Sequence, residues 1–139
     1  MGMVDILSRN NILNSFRKWK VGSVVRGILV GSQEITDQVG EHIYPIVAPE
    51  GTEGDFIVYT RTKYTKKWTE MGVYEDECEI QVLAISDNYD RVTQLAENID
   101  LLLTGPHTID GRRFNIDLSN SSETFEDLKY IEALTFTIK

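Results

Sequence analysis

The segment that constrains this chain most is YEDECEIQVLAISDNYDRVTQLAENIDLLL, residues 74–103, where the hydrophobic period changes from two to three-and-four within a few residues. In its first part Cys78, Ile80, Val82 and Ala84 fall on one side of an extended chain, and Glu75, Glu77, Glu79 and Gln81 on the other. That alternation predicts a strand with one face toward a core and one toward water. Leu83 and Ile85 interrupt it, so the end of the strand is expected to be covered on both faces. In the second part Val92, Leu95, Ala96, Ile99, Leu102 and Leu103 form the apolar stripe of a helix. Asp87 or Asn88 can cap its start, and Gly105 with Pro106 ends it.

Upstream, Val24, Val25, Ile28 and Leu29 mark a shorter helix over residues 21–30, stopped at Gly31. A further short turn of helix is expected from Ser32, with its hydroxyl as cap, carrying Ile35 and Val39 inward as far as Gly40. Ile12, Leu13 and Phe16 suggest a short helix in a locally basic, partly helical or mobile extension over residues 1–20. The run HIYPIVAPEGTEGD carries Pro45, Pro49, Gly51 and Gly54, which leave room only for a short extended piece at Ile43 and Tyr44 and a surface loop.

FIVYTRTK, residues 56–63, is β-branched and aromatic and reads as a strand, and YTKKWTEMG after it as a polar hairpin connection. Asp110-Gly111 is a pair suited to a two-residue hairpin turn, with Phe114, Ile116 and Leu118 alternating behind it. SNSSETFED then reads as a loop and KYIEALTFTIK as a final strand. The expected fold class is α+β: a single domain with a mainly antiparallel β-sheet packed against two principal α-helices. A length of 139 residues suits one core of that kind.

Composition narrows function mainly by exclusion. No apolar run approaches the roughly 20 residues of a membrane span, so a soluble chain is expected. A single cysteine, Cys78, allows no internal disulfide or cysteine-based zinc site and favours a cytosolic origin; the first residues lack a secretory pattern. The net charge of −8 argues against nucleic acid as the main partner. That charge is uneven: residues 1–70 hold 9 basic and 8 acidic side chains, residues 71–139 hold 5 and 14.

No catalytic, cofactor-binding or metal set can be assembled. His42 and His107 stand outside any metalloprotease-like spacing. Cys78 lies on the apolar side of its strand, flanked by Glu77 and Glu79, the reverse of what a nucleophilic thiol needs. Glu75, Asp76, Glu77 and Glu79 follow a strand's alternation and not a calcium loop, so a solvated face is expected. APEGTEGD lacks the Lys-Ser/Thr and helix of a phosphate loop. In KYTKKW, lysines stand beside Tyr64 and Trp68, and Lys66, Lys67 and Trp68 are the candidate partner-contact residues of a projecting connection over residues 63–71. An enzyme is not expected.

A family resemblance rests on V-G-x-x-I-Y-P (Val39, Gly40, Ile43, Tyr44, Pro45), A-P-x-G (Ala48, Pro49, Gly51), F-I-V-Y at 56–59 and the strand-to-helix segment ECEIQVLAISDNYDRVTQLAENIDLLL. Together these resemble the tail-completion (tail terminator, head-to-tail joining) proteins of tailed bacteriophages and prophages, over residues 21–139. The family commonly has Pro just before the F/Y-V-V-Y strand, where this chain has Asp55. The resemblance implies a structural morphogenesis protein of the virion, assembled in the bacterial host cytoplasm and needing no cofactor. It would form a homo-oligomeric ring, hexameric in the assembled tail, that caps the tail tube, ends its growth and enables joining to the head. Its partners would be the tail tube protein and a head-to-tail connector or neck protein, with no membrane and no sequence-specific nucleic acid. The alternative is a small ligand-binding or regulatory α+β domain that dimerises through a sheet edge.

Overall fold

The alternating strand and the stripe-bearing helix after it pack on one another and organise the rest of the chain. In a computed structural model, residues 18–68, 70 and 74–139 are described. A 3₁₀ turn, Lys18–Lys20, leads into α1 (Val21–Val30) and α2 (Gln33–Val39). The strands and the third helix follow as β1 (Ile43–Pro45), β2 (Phe56–Trp68), β3 (Tyr74–Ser86), α3 (Tyr89–Leu103), β4 (Gly105–Ile109), β5 (Arg112–Glu126) and β6 (Lys129–Ile138). The expected N-terminal helix falls outside the described residues.

The six strands form one sheet in the order β1-β2-β3-β6-β5-β4. Every pairing is antiparallel except β1 with β2, where the two strands run parallel. The fold is the expected α+β class. Ile57 and Tyr59 of β2, Cys78, Ile80, Val82 and Ala84 of β3, Phe114 and Ile116 of β5, and Leu134, Phe136 and Ile138 of β6 meet the helices on one face. Against them lie Val21, Val25 and Leu29 of α1, Ile35 and Val39 of α2, and Val92, Leu95, Ile99 and Leu103 of α3. Ile85 is buried although it points to the opposite face, as the broken alternation predicted.

Local chemistry explains the element ends. Asn88 Oδ1 accepts from the Arg91 amide at 3.0 Å and caps α3, while Ser86 Oγ accepts from the Asn88 amide. Ser32 does not cap α2 with its hydroxyl; its carbonyl engages the helix instead, accepting from both the amide and the hydroxyl of Thr36. The Asp110-Gly111 turn forms as expected, with φ of 53° and 77°.

Two strand readings are corrected. β2 does not end at Lys63: it runs on to Trp68, because β3 continues beside it and pairs Lys63 with Glu79, Tyr64 with Cys78, Lys66 with Asp76 and Lys67 with Glu75. SNSSETFED is not a loop. Nearly all of it is the second half of β5, paired with β6 as far as Glu126–Lys129 and closed by a second two-residue turn with φ of 50° at Asp127 and 65° at Leu128.

Candidate interaction surfaces at the two sheet edges

The arrangement of strand lengths leaves two long edges open. β1 covers β2 only from Ile57 to Tyr59, and β4 covers β5 only from Arg112 to Ile116. Among the described residues, no strand pairs with the outer side of β2 over residues 60–68 or of β5 over residues 117–126. Such edges present unpaired amides and carbonyls that can join another strand.

The β2 edge is basic and aromatic. It carries Arg61, Lys63, Lys66 and Lys67 and no acidic residue. Arg61 lies over the Trp19 ring at 4.4 Å and donates from Nη1 to the Trp19 carbonyl at 3.4 Å, and the Trp19 and Tyr64 rings meet edge-on at 5.2 Å. An open depression of about 500 Å³ is lined by Trp19, Arg61, Thr62, Lys63, Tyr64 and Lys66. Trp68 is 76% exposed at the strand's end. The candidate contact residues Lys66, Lys67 and Trp68 are therefore strand residues at an edge, not part of a projecting connection. Lys66 is exposed and Lys67 is paired in register with Glu75, although the Lys67 side chain lies outside the described ones. Of the acidic residues expected to face water, Glu79 stands opposite Lys63, Asp76 opposite Lys66 and Glu75 opposite Lys67, while Glu77 stands opposite Thr65; Glu79 accepts from the Thr62 hydroxyl at 2.7 Å.

The β5 edge is acidic, with Asp117, Glu123 and Glu126 and no basic residue over residues 117–126. Glu123 stands directly opposite Glu132 of β6 and accepts from the Tyr89 hydroxyl at 3.0 and 3.1 Å. Phe125, 54% exposed, and Tyr130 pack with ring centroids 4.8 Å apart, and a depression of about 270 Å³ opens beside them. Leu128 is 82% exposed at the turn, in a left-handed conformation that a bulky residue rarely adopts.

Of the two glutamates, Glu132 is the harder to ionise. Burial, then the hydrogen bond with Glu123 and its charge, pushes the Glu132 carboxyl up to about 7. Hydrogen bonds from Glu132 and Tyr89 hold Glu123 below its usual value. Because the folded value of Glu132 lies above its unfolded one, its contribution to stability is full below about 4.5 and lost as pH rises through about 7. Thermal melts of Glu132→Gln should therefore show a gain of about 1 kcal/mol at pH 8, where the wild type sets two like charges opposite each other. Little gain is expected at pH 5, and an equal gain at both pH values would contradict the raised Glu132 value.

Asp55 ties the helices to the sheet below the β1 end. It accepts from Gln38 Nε2 at 2.9 Å, Ser86 Oγ at 2.7 Å and Arg91 Nε at 2.8 Å, with its side chain 6% exposed. Burial alone would raise its pKa; the three hydrogen bonds and the Arg91 charge outweigh burial and lower it. Elsewhere, His107 stacks on Phe114 and bonds the Leu103 carbonyl, His42 stacks on Tyr44, and Cys78 is buried. Among the described residues, no three His, Cys, Asp or Glu side chains converge as a metal site would require.

Neither a family model nor any curated protein matches the sequence. Among solved structures, a chain of the structure described as the virion of a native gene transfer agent particle superposes with a TM-score of 0.67. The match covers 82% of this chain and 89% of that one, at 13% identity. This is a fold found in a virion particle. Agreement over most of both chains at so low an identity is a likeness of architecture.

Proposed function

We propose that this chain is a tail-completion protein of a tailed phage or prophage. It is a non-enzymatic subunit that assembles as a ring, a hexamer, on the end of the tail tube, stops tube growth and offers a surface for joining to the head. It would work at the neck end of the tail, after assembly in the host cytoplasm, with tail tube and connector or neck proteins as partners. The observation that carries the reading is the fold shared with a chain of a gene transfer agent virion over most of both chains. The sequence motifs around Ile43–Pro45 and at residues 56–59 agree with it. So do two open edges on opposite sides of one sheet, since head-to-tail rings need two different faces on each subunit.

The test is deletion of the gene in an inducible phage or prophage, followed by electron microscopy of the lysate. Separate heads and tails, or tails of abnormal length, are expected. Normal joined virions would end the reading. The alternative, a small ligand-binding or regulatory domain that dimerises through a sheet edge, also uses an open edge but predicts a two-fold dimer.

A further inference from the structure

The two open edges match one another. Tyr59 gives its carbonyl to the Ile46 amide, so its polar backbone groups point off the sheet. Arg61 follows Tyr59 in phase, and the slip of the β2 ladder by one residue between Arg61 and Lys63 makes Tyr64, Lys66 and Trp68 the residues beyond it whose backbone groups point outward. On β5, Asn115 exchanges both backbone bonds with Lys139 and so points inward. The slip between Leu118 and Asn120 then leaves Ser121, Glu123 and Phe125 pointing outward. On both strands these outward residues lie on the helix-bearing face: Tyr64 is level with Cys78, and Glu123 with Glu132 and Ala84.

We propose that copies of this chain join by antiparallel pairing of the open β5 edge of one copy with the open β2 edge of the next. The register sets Tyr64 against Phe125, Lys66 against Glu123, Trp68 against Ser121 and Lys63 against Glu126. This register joins outward residues to outward residues and keeps the helices of both copies on one side of a continuous sheet. It also makes one aromatic pair and two pairs of opposite charge, the cross-strand contacts that favour pairing. The basic stretch over residues 60–68 and the acidic stretch over residues 117–126 are complementary as wholes, which steers two copies together and disfavours like edges meeting. Because the two edges differ, the contact is head-to-tail and repeats from copy to copy. The inference rests on the reading of the chain as a ring-forming subunit and names the surfaces that the ring would use.

The experiment compares the wild type with two charge-reversed variants, K63E/K66E and E123K/E126K, by sedimentation velocity and native mass spectrometry over a concentration series, with circular dichroism to check folding. Each variant alone should need at least about tenfold more protein to assemble than the wild type, and an equimolar mixture should recover wild-type assembly, since each remaining contact then joins opposite charges. Assembly of either variant alone at wild-type concentration would overturn the proposal, as would failure of the mixture or a wild type that stays monomeric. Should a reversed variant not fold, K63C/E126C under mild oxidation gives the answer. These positions face each other in a close, non-hydrogen-bonded pair, and an intermolecular ladder on a denaturing gel is expected, absent from K63C/D117C. No ladder, the same ladder in both, or assembly that begins only after residues 1–17 are removed would refute this pairing. Wild-type complementation of the deletion phage, scored in parallel, separates the two readings. Complementation without edge pairing sinks this inference alone, and edge pairing without complementation sinks the tail-completion reading.

Discussion

Replacing Asp55 by Ala should lower the stability of the chain by about 2–3 kcal/mol, because three donors lose one shared charged acceptor. Ser86 is fully buried, so its hydroxyl loses the charged acceptor it donates to; Gln38 and Arg91 lose their shared acceptor, and the Gln38 Nε2 bond to the Arg91 carbonyl at 3.0 Å is left to join α2 to the start of α3. For a chain of this size that corresponds to a fall in melting temperature of about 6–10 °C. Asp55→Asn should do little better, since its amide nitrogen would face donors. The pH dependence follows from the direction of the shift. The folded value of Asp55 is depressed, so its contribution is present above the usual value of 3.8 and is lost as pH falls through the lower folded one. Acid titration of the wild type should show this loss and the Ala variant should not. A melting temperature within about 2 °C of wild type at pH 7 would refute the hub role of Asp55.

Phe136→Ala should cost about 3–5 kcal/mol, the largest effect of any single truncation in the sheet. The ring is fully buried on the helix-bearing face of β6, with Ile80 and Leu118 as its cross-strand neighbours, so its removal leaves a cavity where three strands and the helix layer meet. Phe136→Leu refills most of that space and should cost much less. Urea denaturation decides the point through the midpoint at constant slope. A loss below about 1 kcal/mol would mean that the core collapses around the gap. The functional consequence is mechanical: β6 separates the two outer strand pairs, and a slack centre would let the open edges move relative to one another.

The residues that were legible in the sequence were those whose environment is set locally or by one buried face. α1 and α3 follow their apolar stripes, β3 its alternation, and the Asp110-Gly111 turn its positive φ angles. What was not legible depends on partners distant in sequence. The second half of β5 is exposed on both faces, so SNSSETFE carries no period; it is a strand because β6 pairs with it. The end of β2 was hidden because the slip near Thr62 breaks the alternation there. The Lys66–Trp68 stretch was found by its basic and aromatic composition, but its acidic counterpart was missed. Glu123, Glu132 and Tyr89 come together only through the sheet register and the helix start. The departure at Asp55 was visible as a missing proline, while its role as an acceptor for Gln38, Ser86 and Arg91 was not.

The slips near Thr62 and Ser119 each insert one residue that the strand pairing does not count, and each is held by hydroxyl bonds, from Thr62 to Glu79 and from Ser119 to the Thr135 carbonyl. Each open edge therefore carries a spare residue. Removing it would let the strand run on regularly without changing which later side chains face the helices or which backbone groups point outward. In related chains, a one-residue gap at either place is thus compatible with an unchanged edge, whereas a gap two or three residues further on would move Lys66 or Glu123 off its place.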